Sequence, residues 1–207
     1  MKKDTLVQFV CFVTDLEFSE FISKWDFYAG QFTGAHSQMA LQEKFESRGK
    51  YKYVSQHECL DKDFEFAFMK GRNSAHFPEH KAKVVQAGGY MPLQLESPQK
   101  KEKGIVKLMA FISHDETDIS FYSQLPLYRH LNIYQAWYES CLYAYVMEFF
   151  VEESHAADLL QQIKARDGAE SALYKESALP GTSKKDLASR KQLTAAGNVN
   201  AKAVSHR

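Results

Sequence analysis

The sequence predicts an α+β fold with antiparallel sheets, built from one order of elements, β-α-β-β-α-β, that occurs twice. Three observations predict it. Apolar residues alternate with a period of two in several short segments, and they recur every three or four residues in others. A polar, proline-containing stretch, SPQKKEK (97–103), then separates two such runs.

In the first run, residues 6–14 read as a strand, with Val7, Phe9, Cys11 and Val13 alternating with Gln8, Val10, Phe12 and Thr14. Both faces are largely apolar, as expected of a central strand. Asp15 or Ser19 can cap a helix whose Phe18, Phe21, Ile22, Trp25, Ala29 and Phe32 share one face. Residues 33–50 are polar and carry Gly34 and Gly49, which reads as a loop with at most one helical turn. Alternation returns over 51–59 and 64–69, joined by Leu60-Asp61-Lys62-Asp63 as a hairpin. Residues 75–87 read as a helix stopped by Gly88-Gly89, and 90–96 as a strand that Pro92 makes an edge or a bulge.

The second run repeats the order. Residues 105–112 are an apolar strand, and 118–130 a helical segment weakened by Pro126. Aromatic-rich strands over 133–139 and 142–151 are separated only by Ser140-Cys141. Ser154 caps a helix with Ala156, Leu159, Leu160 and Ile163 on one side, Asp167-Gly168 ends it, and 171–178 is the last strand. The predicted units are therefore 1–97, a linker at 98–104, 105–179, and a tail at 180–207. That tail has no aromatic residue and six basic residues (Lys184, Lys185, Arg190, Lys191, Lys202, Arg207) against the single acid Asp186. It reads as a solvated, flexible extension or as a contact for an acidic partner or nucleic acid.

Composition sets the class. Among 207 residues, 26 Lys+Arg balance 26 Asp+Glu, which speaks against a general nucleic-acid binder. Aromatic residues at 14% supply ample core material. The apolar run 6–13 is too short to span a bilayer, and no small-residue cleavage site follows it, so neither a membrane segment nor an export signal is expected. Cys11, Cys59 and Cys141 are odd in number and far apart, which points to free thiols in a reducing cytoplasm. Phosphate-binding glycine motifs, a G-x-S-x-G elbow and an H-E-x-x-H pair are absent. No cofactor and no metal is expected. His76 and His80 are four apart, but Pro78 between them suits an exposed first helical turn better than a metal site.

A β-α-β-β-α-β unit resembles the ferredoxin-like split motif. Two in one chain resemble the tandem form of the dimeric α/β-barrel superfamily, with two sheets facing each other and helices outside. The resemblance covers roughly residues 6–179 and rests on element order, without a family signature motif and without long identity between the halves. It implies an α/β-barrel-like pseudo-dimer. The superfamily includes cofactor-free monooxygenases, haem-handling enzymes and small-ring isomerases, and the shared fold does not choose among them.

Strand alternation then nominates site residues. If Phe64, Phe66 and Phe68 pack under helices, Glu65 points into the barrel; Glu148 occupies the matching strand of the second run. A carboxylate in an apolar cavity has a raised pKa and becomes a candidate general base, so Glu65 and Glu148 are the candidate catalytic residues. Gln8 and Lys107 are the polar exceptions on the opening strands, and Lys107 could pair with either Glu and hold it charged. Trp25, Tyr134, Trp137 and Tyr145 supply a candidate aromatic pocket wall. Two functions follow. One is a small-molecule-binding protein or cofactor-independent enzyme acting on a hydrophobic or aromatic ligand. The other is a non-catalytic structural or interaction module with a basic tail. Exposed sheet edges would leave a route to a homo-oligomer.

Overall fold

A computed structural model of the chain describes residues 6–13, 37–43, 48–60, 84–96 and 102–177. Eight strands occur in them: β1 (Leu6–Val13), β2 (Ser37–Glu43), β3 (Tyr53–Leu60), β4 (Val84–Gln94), β5 (Ile105–Ile112), β6 (Tyr128–Ala136), β7 (Tyr145–Glu152) and β8 (Ala169–Ser177). Two helices accompany them, α1 (Ser120–Ser123) and α2 (Ala156–Lys164). The strands close into one antiparallel barrel in the order β1-β3-β2-β8-β5-β7-β6-β4. Closure gives each of these strands two hydrogen-bonded neighbours, so none offers the open edge through which sheets pair with other chains.

The ladders of the two halves run in matching register. Val10 lies opposite Gln56 and Phe12 opposite Val54; Met109 lies opposite Glu148 and Phe111 opposite Val146. On the other side of each opening strand, Gln8 faces Tyr90 and Lys107 faces Tyr174.

Strict alternation makes two cores. Val10, Phe12, Val54, Tyr90, Met109, Phe111, Tyr134, Val146, Ala172 and Tyr174 point into the barrel, joined from the loops by Tyr51, Cys141 and Tyr143. The opposite faces of β5, β6 and β7 bury Leu108, Ala110, Ile112, Leu131, Ile133, Met147, Phe149 and Val151 outside the barrel. There they meet Ala156, Leu159, Leu160 and Ile163 of α2, which packs over β8 and β5. A helix with one apolar stripe and a sheet with two apolar faces satisfy each other in this way.

Several expectations from the sequence are corrected. Residues 37–43 form β2, not a loop: the segment SQMALQE is polar enough to hide its alternation, and it gains its order from β3 and β8 on either side. Gly88-Gly89 is not a helix stop but lies inside β4, which already begins at Val84. A Cβ on Gly88 would lie 3.0 Å from Cys141 Sγ and 3.1 Å from the Tyr90 ring, so any side chain there would press on both. Only Ser120–Ser123 of the expected 118–130 helix is helical, and β6 starts directly after Pro126-Leu127. Ser154 sits in a 3₁₀ turn, Glu153–His155, and the residue before α2 is His155, with no side-chain cap bond. The β4–β6 register shifts between Pro92 and Gln94, the irregularity that Pro92 announces. The helix expected after residue 15, the strand at 64–69, the His76/His80 pair and the tail at 180–207 lie outside the described residues.

Candidate functional site

The barrel interior divides into an aromatic end and a polar layer. At the aromatic end Phe12 and Phe111 meet edge to face at 5.0 Å, and Tyr51 and Tyr143 pack on both at 5.0 to 5.6 Å. The Tyr51 and Tyr143 hydroxyls hydrogen-bond each other at 2.6 Å, and the Tyr174 hydroxyl donates to the Tyr51 carbonyl at 2.9 Å. Buried phenols without partners would be costly, and these satisfy one another. Burial is the main cause that pushes the Tyr51 and Tyr143 pKa values up, so both stay protonated at neutral pH.

The polar layer is built around Glu148, at the middle of β7 and 3% exposed. Its Oε1 accepts from Gln56 Nε2 at 2.7 Å and from Lys107 Nζ at 3.3 Å. Its Oε2 accepts from Asn132 Nδ2 at 2.8 Å and from the Tyr134 hydroxyl at 3.4 Å. Four donors from β3, β5 and β6 thus converge on one carboxylate, two on each oxygen. Asn132 is oriented in turn because its Oδ1 accepts the Glu96 backbone N–H at 2.9 Å, which leaves the amide nitrogen for Glu148. The Lys107 ammonium also lies 5.4 Å from the centre of the Phe150 ring.

The electrostatic result differs from the sequence expectation. Burial pushes the Glu148 pKa up, but the Lys107 charge and the Asn132 and Gln56 donors outweigh it and hold the carboxyl below its ordinary value. Glu148 is therefore a buried, ionised, fully ligated carboxylate, held charged by Lys107.

Lys107 and Tyr134 meet Glu148 in the interior, and alternation along β1 turns the buried Gln8 to the same side as Val10 and Phe12. Trp137 and Tyr145 do not join them. Trp137 follows β6 in a loop, stacked at 5.6 Å on the exposed Tyr138. Tyr145 packs against the outer, helix-covered core. Glu65 and Trp25 lie outside the described residues. Gln56 and Asn132 were not singled out from the sequence: an amide in a strand carries no motif, and only the register sets both beside Glu148.

A groove of about 250 Å³ opens at the rim, lined by Gly104, Ile105, Arg129 and Glu152 among others. Ile105 lies two residues before Lys107 on β5, so the groove sits at the polar layer's end of the barrel. Arg129 and Glu152 hydrogen-bond across it. His57, on the strand face opposite to Gln56, is fully buried, and burial brings its pKa down to about 3. Among the described residues no group of three His, Cys, Asp or Glu is placed to hold a metal, and no helix is long and apolar enough to cross a membrane.

No family model matches the chain, and no curated protein matches it. Among solved structures, the chain is similar to an anthrone oxidase-like protein, with a TM-score of 0.56 at 10% identity over 86% of this chain and 93% of that one. It also aligns with a protein from Fusobacterium nucleatum subsp. nucleatum named as a monooxygenase, with a TM-score of 0.43 at 11% identity over 85% and 94% of the two chains. The first of these likenesses shows a shared α+β barrel fold.

Proposed function

We propose that the chain is a small-molecule-binding α+β barrel whose site is the polar layer around Glu148, and that its ligand is hydrophobic and aromatic. The observation that carries this is Glu148 itself. Replacing a buried ion pair by apolar residues is often neutral or stabilising, so its stability alone does not account for a four-donor charged layer inside a barrel. The Tyr134 bond at 3.4 Å is the longest of the four and is the one that a ligand would displace. Glu148 then turns an oxygen to the ligand and can accept a hydrogen bond from it, the role that a carboxylate held below its ordinary pKa suits. The anthrone oxidase-like protein that shares the fold makes anthrone a natural first probe of the site. Cys59 and Cys141, buried and outside any disulfide, support a reducing, cytoplasmic setting.

We further propose that residues 1–97 and 105–179 are two ferredoxin-like βαββαβ units in tandem. Supporting this, the strand orders β4-β1-β3-β2 and β8-β5-β7-β6 are the same, and the bonds Tyr51–Tyr143 and Gln56–Glu148 each join residues 92 apart.

The second reading, a non-catalytic barrel with a basic tail as its contact, is favoured by one observation: the aromatic end is packed ring against ring. Native mass spectrometry of freshly purified protein, with anthrone and 1-naphthol added in turn, separates the two. Binding that weakens in Glu148→Gln supports the first reading. A chain that binds neither compound, yet captures a partner only when residues 180–207 are present, establishes the second.

A further inference from the structure

Gln8 occupies in the first half the ladder position that Lys107 occupies in the second. Gln8 lies between Glu58 and Tyr90, and Lys107 between Phe150 and Tyr174. Both side chains face the interior, on the same faces of their strands as Val10 and Phe12, and as Met109 and Phe111. Their hydrogen bonding differs. The Lys107 ammonium is bonded to Glu148, whereas Gln8, only 8% exposed, has a buried Oε1 with no hydrogen-bond partner among the described residues. A buried carbonyl without a donor is a cost that folded proteins avoid almost everywhere, and its persistence asks for a reason. Glu148 cannot be the acceptor for an incoming donor without losing one it already holds, because each of its oxygens takes two. Gln8 Oε1 has no such occupant.

We propose that Gln8 is the specificity-determining acceptor of the site, receiving the O–H of a hydroxyarene through its side-chain carbonyl. This deepens and rests on the reading of the barrel as a small-molecule site. The acceptor selects ligands that carry a hydroxyl or N–H donor and rejects those in which that hydrogen is replaced by alkyl. No group is transferred at Gln8. Its contribution is a hydrogen bond present only in the complex.

The test compares 1-naphthol with 1-methoxynaphthalene, in the full chain and in Gln8→Met, which keeps length and removes the carbonyl. The wild-type chain binds the naphthol about tenfold tighter than its ether, a preference set by one buried hydrogen bond, and Gln8→Met binds the two alike. The ligand-free Gln8→Met protein also melts higher by about 2–4 °C, because an unsatisfied acceptor has been replaced by an apolar group. A merely structural glutamine would give the opposite shift. The proposal is overturned if the preference survives in Gln8→Met, if wild type shows no preference, or if the variant melts lower or does not fold. If both compounds bind wild type equally, this inference fails while the small-molecule reading stands. If neither binds, both fall.

Discussion

Gln56 Nε2 donates to Glu148 Oε1 at 2.7 Å, joining across the barrel two residues that hold matching places in the two halves. With glutamic acid at both places, two carboxyls would compete for one proton. With one amide and one carboxylate, the pair is a hydrogen bond and the charge is fixed on β7. Lys107 neutralises it, and Asn132 and Tyr134 saturate the second oxygen.

Removing Lys107 leaves that charge buried with amide and phenol donors alone. Lys107→Met destabilises the chain by about 3–5 kcal/mol at pH 7, the usual cost of an unpaired buried ion. Urea unfolding measures it. The double variant Lys107→Met/Glu148→Met recovers most of the loss, since no unpaired charge remains.

Acid should unfold the protein in two stages, separated by two residues. His57, with its folded pKa brought down by burial to about 3 from the ordinary 6.5, binds a proton more readily when unfolded. Stability therefore falls as pH drops below about 6.5, by about 1.4 kcal/mol per pH unit. Glu148 has a folded pKa below the ordinary 4.5 of a glutamate, so its contribution is present above that value and is lost as pH falls through the folded pKa. A folded His57→Gln variant flattens the upper stage, and Glu148→Gln flattens the lower one. Denaturant midpoints taken from pH 7 to pH 3 resolve both.

The phenol pair at the aromatic end predicts a non-additive cycle. Tyr51→Phe or Tyr143→Phe alone leaves a buried hydroxyl without its 2.6 Å partner, at about 1–2 kcal/mol each. The double variant costs less than the sum of the singles, because neither hydroxyl remains to be satisfied. Equal additivity would mean that each phenol is held by something other than the other.

Gly88→Ala places a methyl 3.0 Å from Cys141 Sγ and 3.1 Å from the Tyr90 ring, and lowers stability by about 1–3 kcal/mol. Cys141→Ala in the same chain removes the nearer obstacle and restores part of the loss. Thermal melts of the two singles and the double check this.

Much of the barrel was legible because burial leaves a period in the sequence. β1, β5 and β7 are apolar enough on both faces to read as strands, β3 reads as one from the alternation over 51–59, and Lys107 and Glu148 stand out as charges among apolar neighbours. β2 was not legible: Ser37, Gln38, Gln42 and Glu43 surround Met39 and Leu41, and the strand is ordered by the neighbours on both sides. Gly88-Gly89 misled for a related reason. Glycines in a strand serve a close approach that only the tertiary structure reveals. The direction of the Glu148 pKa shift was illegible too, because Gln56 and Asn132 are unremarkable until the register brings them to the carboxylate.

The most direct test of the central claim is side-chain amide NMR of Gln56 and Asn132 during a titration with 1-naphthol. A ligand seated at the Glu148 layer shifts both amide signals in a saturable way, and the shifts disappear in Glu148→Gln. If 1-naphthol leaves both amides unmoved at saturation, or moves only surface groups, the polar layer is not a ligand site and the buried carboxylate is part of the barrel's framework.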